Sequence, residues 1–167
     1  MASRVAPLLL AFALATVGPS AAADLDGTYV LDLEASESVA EVLTLSGAPK
    51  FVGKMADRTR VTVDVTTAGT EITLLFRTKV YQNKEVMIPD GETREVTSHG
   101  HARMVTQRYD ERGGLESRTV KALEEGEQAF VCTYRLSDGG ASLLEEYLLI
   151  RPDGTEHRAT RVYVRAD

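Results

Sequence analysis

The side chains in this chain that are best suited to bind a metal ion or haem are those of three histidines. His99 and His101 are separated by one residue, and His157 lies near the C-terminus. Two imidazoles at that spacing share one face of a strand, which suits a metal ion. Gly100, however, places the pair at a turn between predicted strands, and no carboxylate pattern points to it. We therefore interpret them as solvent-exposed loop histidines and expect no metal site.

Acidic pairs and one thiol are the other candidates for chemistry. Glu124–Glu125 and Glu145–Glu146 are adjacent in sequence, so on a strand the two side chains of each pair diverge. They form no paired-carboxylate site by themselves, and we interpret them as solvated surface. Cys132 lies inside an apolar strand pattern and is interpreted as a small buried filler. No Gly-x-Ser-x-Gly elbow, P-loop or His-Glu-x-x-His motif occurs, so no catalytic residues are predicted.

The composition is that of one globular domain. The chain has 167 residues, of which 43% are hydrophobic and 26% charged. The 19 Lys and Arg residues face 25 Asp and Glu residues, giving a formal net charge of −6. A nucleic-acid partner normally needs a basic face, so this balance argues against one. With a single cysteine, an internal disulfide is excluded.

Residues 1–23 have the pattern of a secretory signal peptide. Arg4 supplies a short positive region, and residues 5–17 form an apolar run that is too short to span a bilayer. Residues 21–23 are alanines, which suit the −3 and −1 positions of a cleavage site. The pattern predicts cleavage before Asp24, so we expect a secreted or periplasmic protein whose mature domain spans 24–167.

The mature chain reads mainly as short strands. Asp-Gly pairs at 138–139 and 153–154 favour tight hairpin turns. Val61, Val63 and Val65 alternate with polar residues, which puts one face of that strand inward. The pattern predicts ten strands near 25–34, 59–67, 70–78, 80–88, 92–98, 102–109, 114–123, 127–136, 141–150 and 155–165.

The segment 36–57 breaks this rhythm and predicts two helices between the first and second strands. Ser38 followed by Glu41 has the spacing of a capping box, and Pro49 suits the first turn of a second helix. Apolar residues fall on one face of each helix: Val39, Val42 and Leu43 on the first, and Phe51, Val52 and Met55 on the second. The two helices could simply cover an open end of the sheet, or they could act as a lid. The two roles do not exclude each other.

Ten meandering strands without a parallel crossover predict a mainly β fold, an antiparallel up-and-down β-barrel that is closed or nearly closed. Closure removes exposed sheet edges. A barrel of this size is wide enough to enclose a cavity. The pattern of strands by itself names no ligand.

The order of elements and three short stretches resemble the fatty-acid-binding protein family, the intracellular lipid-binding branch of the calycin barrels. Gly-Thr-Tyr at 27–29 is similar to the family's Gly-Thr-Trp in the first strand. Residues 38–57 occupy the place of its two portal helices. Thr-Arg-Val-Tyr at 160–163 is similar to the family's motif in the last strand. The resemblance covers residues 24–165, although the chain has no Trp and, unlike most members, a predicted export signal.

This resemblance implies a monomeric carrier of a fatty acid or similar hydrophobic carboxylate, without cofactor or enzymatic activity. It implies that Arg161 and Tyr163 hold the ligand's carboxylate, with Arg135 as the best candidate for a second arginine. Phe51 and Met55 would be portal contacts on a helical lid that touches membranes transiently.

Two observations keep alternatives open. The bulky residues of the strand 127–136 alternate with Arg135, so if the bulky set faces the cavity, Arg135 is excluded from the site. Related barrels also host haem through one histidine. A haem-binding or other small-ligand barrel, a small enzyme on the same barrel and a barrel with a filled interior are therefore the alternatives.

Overall fold

A computed structural model describes residues 24–98 and 101–166. The predicted signal peptide and His99 lie outside these residues. The ten predicted strands are confirmed, with shifts of a few residues at their ends. They are β1 (Gly27–Asp32), β2 (Thr62–Ala68), β3 (Glu71–Arg77), β4 (Gln82–Met87), β5 (Thr93–Ser98), β6 (His101–Tyr109), β7 (Leu115–Leu123), β8 (Gly126–Ser137), β9 (Ser142–Ile150) and β10 (Glu156–Arg165).

All ten strands form one antiparallel sheet that curls back on itself. The order is β4-β3-β2-β1-β10-β9-β8-β7-β6-β5, so the first and last strands of the chain pair and β4 and β5 are left as the two edges. Gln107 on β6 contacts the segment that joins these edges. Its side-chain carbonyl accepts the Ile88 N–H at 2.9 Å, and its backbone carbonyl accepts the Gly91 N–H at 2.9 Å. These bonds hold one end of the seam together.

Two short helices, α1 (Ala40–Leu45) and α2 (Lys50–Ala56), follow β1 and together form the lid. The expected capping box is wrong, because the N-cap residue of α1 is Val39 and not Ser38. The Val39 side chain makes no capping hydrogen bond. Asp57, just after α2, instead accepts the Val39 N–H at 2.8 Å and the Ser38 hydroxyl at 2.6 Å. The start of α1 is therefore fixed by a carboxylate from the far end of the lid. Neither helix is long and apolar enough to cross a membrane, nor is any other in the described parts of the chain.

Apolar side chains pack on the inside of the sheet in two clusters. The larger cluster consists of Leu25, Tyr29, Leu31, Val61, Val63, Val65, Ile72, Leu74, Met87, Leu115, Tyr134, Leu143 and Tyr163. The smaller one consists of Val39, Val42, Leu149 and Ala159, and it joins α1 to β9 and β10. The lid is thus held by the apolar face of α1, whereas α2 contributes only Gly53 as a fully buried residue.

Candidate ligand-binding site

Arg161 and Tyr163 point into the barrel from β10. Alternation along that strand buries Ala159, Arg161 and Tyr163, which are 2%, 8% and 0% exposed. The guanidinium of Arg161 stacks against the Tyr163 ring, with its carbon 5.4 Å from the ring centroid. A buried arginine of this kind needs a counter-charge or a ligand, because an uncompensated charge in the interior is costly.

That counter-charge comes from the protein itself. Glu145 on β9 is directly opposite Arg161 in the strand register, and the whole residue is 3% exposed. Its Oε2 lies 3.7 Å from Arg161 Nη1 and accepts the Tyr163 hydroxyl at 2.6 Å. Its Oε1 accepts the Tyr134 hydroxyl at 3.2 Å and lies 3.9 Å from Cys132 Sγ. The inner cluster, as we call Glu145, Arg161, Tyr163, Tyr134 and Cys132, joins three adjacent strands.

Sequence reasoning missed Glu145, because it interpreted the pair Glu145–Glu146 as solvated surface. The signal was present in the strand pattern. Leu143, Tyr147 and Leu149 are spaced by two residues around Glu145 and share its face. Leu143 and Leu149 are both fully buried. The position of a carboxylate in the middle of an apolar face therefore predicts that it is buried and paired, and not solvated.

Burial determines which groups of the inner cluster stay protonated and can donate hydrogen bonds. Burial, followed by the charge of Glu145, raises the pKa of Tyr163 well above its usual value. Burial and the neighbouring Cys132 and Glu145 do the same for the pKa of Tyr134. Both hydroxyls therefore keep their protons and act as donors to Glu145. On β4, burial and the charge of Glu145 raise the pKa of Glu85, which faces the same interior.

Arg135 does not join this cluster, and its predicted orientation is corrected by the structure. It follows Tyr134 on β8, and because neighbouring residues on a strand face opposite ways, it lies on the outer face. Its Nη2 donates to Asp110 at 2.6 Å, and its Nε donates to Glu146 at 3.3 Å. The bulky residues of β8 face the interior instead, which is the arrangement that excludes Arg135.

Solvent reaches part of the inner face. Phe130, Cys132 and Tyr147 point inward from β8 and β9, yet each is only partly buried. Phe76 on β3 has the same combination of inward direction and partial burial. These side chains pack against the two apolar clusters and still keep part of their surface accessible. The interior therefore combines apolar walls with one polar cluster, which is the usual character of a small-molecule site.

The lid reaches the inner cluster at one point. Arg161 Nη2 donates weakly to the carbonyl of Ala56, the last residue of α2, at 3.5 Å. A cleft of about 220 Å³ beside this contact is lined by Leu33, Ser36, Glu37, Ser38, Ala56, Asp57 and Arg161. The predicted portal residues Phe51 and Met55 lie on the outer side of α2, where they are 64% and 57% exposed. The apolar side of α2 thus faces solvent and not the barrel.

His157 pairs with an acidic residue of the lid. His157 Nδ1 lies 3.2 Å from Glu41 Oε1, which links β10 to α1. Among residues 24–98 and 101–166, no group of three or more His, Cys, Asp or Glu side chains is arranged to hold a metal ion. His99 lies outside these residues.

The structure is similar to solved lipid-binding proteins. Caenorhabditis elegans lipid binding protein 8 matches 84% of this chain and 94% of its own, with 19% identity and a TM-score of 0.65. A Schistosoma mansoni fatty acid binding protein, solved with arachidonic acid, matches 89% of this chain and 100% of its own at 16% identity and a TM-score of 0.62. The chain has the fatty-acid-binding-protein fold. The resemblance in element order is thereby confirmed at the level of the fold.

The same fold also occurs in a protein with a different description. An abundant heat soluble (SAHS) protein from Ramazzottius varieornatus matches 84% of this chain and 94% of its own, at 13% identity and a TM-score of 0.62. At the level of sequence, no family model and no curated protein matches the chain. Function must therefore be argued from the residues inside the barrel.

Proposed function

We propose that the protein binds one hydrophobic small molecule with a long apolar chain inside its barrel, and carries it without changing it chemically. The observation that carries this proposal is the partly accessible apolar inner face around one buried polar cluster. The fold supports it, because neighbours of that fold are described as lipid-binding and fatty-acid-binding proteins. A fatty acid is the ligand that the sequence resemblance implies.

The energetics divide the work between the two ends of such a ligand. Each buried methylene contributes about 0.8 kcal/mol, so a long acyl chain supplies on the order of 10 kcal/mol before ordering costs. Each hydrogen bond to a charged group adds about 1.5–3 kcal/mol. The apolar chain therefore supplies most of the affinity, and the inner cluster orients the polar end and selects it.

Native mass spectrometry of the gently purified protein, with and without added lipids, tests the proposal. We expect a one-to-one complex that survives in the wild type and is lost in Ser117→Phe. Ser117 is opposite Cys132 in the register of β7 and β8, so a phenyl ring there fills the interior. Arg118→Phe is the matched control, because Arg118 is the next residue and faces outward. Equal ligand binding by both variants, or a Soret band on addition of haem, would contradict a lipid site in the barrel.

We also propose that the carrier works outside the cytoplasm. The support is the sequence pattern of residues 1–23, with its short apolar run and the alanines at 21–23. Full-length protein expressed in a secreting host should appear outside the cytoplasm with Asp24 as its first residue, as measured by N-terminal sequencing. A product that retains Met1 in the cytoplasm would contradict export.

The lid supports a further part of the proposal, a transient contact with membranes. Phe51, Val52 and Met55 are exposed on α2 and alternate with Lys50 and Lys54. Apolar side chains flanked by lysines suit the interface of an anionic bilayer. The double variant Phe51→Ser and Met55→Ser should exchange ligand with anionic vesicles more slowly than the wild type. Unchanged exchange would contradict a role for α2.

A further inference from the structure

We propose that Glu145 makes the barrel selective for a lipid whose polar end is uncharged and donates a hydrogen bond, such as a long-chain alcohol, and that it excludes a carboxylate. This inference rests on the proposed lipid-binding function and names the class of ligand that the same site takes. It differs from what the sequence resemblance implies, because the Arg161–Tyr163 pair is already occupied by a carboxylate of the chain itself.

The charges inside the barrel disfavour an anionic head group. Arg161 is opposed by Glu145 at 3.7 Å, and Glu85 adds a second acidic group that interacts with Glu145. A ligand carboxylate would therefore add a third acidic group beside Arg161, whose charge Glu145 already balances. Like charges at short range repel strongly in an interior of low dielectric, so an anionic head group is disfavoured.

Glu145 is held in place beside Arg161. Its two oxygens are held by hydroxyls from different strands, Tyr163 on β10 and Tyr134 on β8. Its side chain is 4% exposed, so leaving Arg161 would leave the carboxylate buried without a cation. That loss makes displacement by a ligand carboxylate costly.

The inner cluster retains some hydrogen-bonding capacity. An ionised carboxylate offers about four acceptor sites, and the two tyrosine hydroxyls and the Cys132 thiol use three of them. Arg161 also hydrogen-bonds Tyr147, but its contacts with Glu145 and with the Ala56 carbonyl are long, at 3.7 and 3.5 Å, so its guanidinium retains donors for a ligand. A ligand hydroxyl can donate to Glu145 and accept from Arg161 at the same time, whereas a deprotonated carboxylate can only accept.

Three ligands with the same chain and different head groups test this inference: hexadecanol, hexadecanoate and hexadecylamine. Their affinities are measured at neutral pH by displacement of an uncharged fluorescent dye, below the concentration at which each lipid aggregates. We expect hexadecanol to bind at least about tenfold more tightly than hexadecanoate, since a charged hydrogen bond changes affinity by about 10- to 100-fold. Tightest binding of hexadecanoate or of hexadecylamine would overturn the inference.

Two variants on adjacent residues locate the effect. Glu145→Gln keeps the shape of the side chain but removes its charge, so Arg161 becomes free to pair with a ligand. We expect this variant to bind hexadecanoate about tenfold more tightly than the wild type does. Glu146→Gln is the matched control, because Glu146 lies on the outer face of the same strand, 3.3 Å from Arg135. It should leave the preference unchanged.

The outcomes separate this inference from the function on which it rests. If none of the three lipids displaces the dye, lipid binding itself fails. If hexadecanoate binds tightly to the wild type, lipid binding stands and selectivity through Glu145 is wrong. If Glu145→Gln does not fold, as judged by circular dichroism, the comparison of head groups on the wild type still decides the question.

Discussion

Arg161 and Arg135 are both paired with carboxylates, and the two sites differ in almost every physical respect. Arg161 lies inside, buried with Glu145, at a distance of 3.7 Å. Arg135 lies in the outer wall, where it contacts Asp110 at 2.6 Å and is 21% exposed on its side chain. The inner pair is loose and surrounded by tyrosines, whereas the outer pair is short.

The contrast indicates two different roles for the same residue types. Asp110 also accepts the backbone N–H groups of Arg112 and Gly114 at 2.9 and 2.7 Å, so the outer pair fixes the turn between β6 and β7. The inner pair fixes no turn and retains unused hydrogen-bonding capacity. Short distance and backbone contacts mark a structural ion pair, and burial with spare donors marks a site that can take a ligand.

The largest effect should come from removing the inner cation. Arg161→Met, measured without ligand by urea unfolding at neutral pH, should lower the free energy of unfolding by about 3 kcal/mol, because it leaves Glu145 buried without a counter-charge. Arg158→Met is the control on the same strand, where the side chain is 66% exposed and pairs with Glu156. That change should cost less than about 1 kcal/mol. Similar losses in both variants would remove the distinction between inside and outside.

A smaller effect is expected in the outer wall. Asp110→Ala should lower the free energy of unfolding by about 1–3 kcal/mol, because it leaves the donors of Arg112, Gly114 and Arg135 without their acceptor. Burial raises the pKa of Asp110, but the two backbone N–H groups and Arg135 outweigh it, so the pKa lies below 3.8.

The sign of its pH dependence follows from that lowered pKa. The stabilisation by Asp110 is fully present above pH 3.8 and is lost as the pH falls through the lower value of the folded protein. The difference between wild type and Asp110→Ala, measured by urea unfolding, should therefore shrink at acid pH. A difference that grows on acidification would contradict the pairing.

The smallest effect concerns the second inner carboxylate. Because burial and Glu145 raise the pKa of Glu85 above 4.5, the protein loses stability as the pH rises from 4.5 through the value of the folded state. Glu85→Gln removes that loss, so thermal unfolding should show the variant gaining on the wild type as the pH rises to neutral. If the difference in melting temperature between the two proteins stays constant with pH, the raised pKa of Glu85 is contradicted.

Much of the fold was predictable because each strand is bounded by turn residues and alternates in polarity. The same alternation placed Arg161 and Tyr163 on one face, two residues apart. It failed for Arg135, because a shift of one residue reverses the face and the strand 127–136 has apolar residues on both sides. The outcome there depends on Asp110, a partner distant in sequence that no local pattern reveals.

The inner cluster was only half predictable. A resemblance to a known motif identifies Arg161 and Tyr163 but gives no information on what lies opposite them. Glu145 belongs to another strand, and only the register of β9 against β10 brings it beside Arg161. In the same way, the apolar residues of α2 fitted a packed helix in sequence, yet Gly53 makes the close contact with Ala40 and leaves Phe51 and Met55 outside.

The turn at 151–155 has a consequence for how the interior charges become buried. Arg151 N–H binds the Thr155 carbonyl at 2.9 Å, and this short connection sets β9 against β10 so that Glu145 faces Arg161. Both charges therefore belong to a single hairpin, whose contacts are local in sequence, and we expect it to form early in folding. The two charges would then meet while still hydrated, and neither would enter the apolar interior alone. Inserting one residue in β10 between this turn and Arg161 would turn the guanidinium to the outer face. The Glu145 carboxylate would then be buried without a counter-charge.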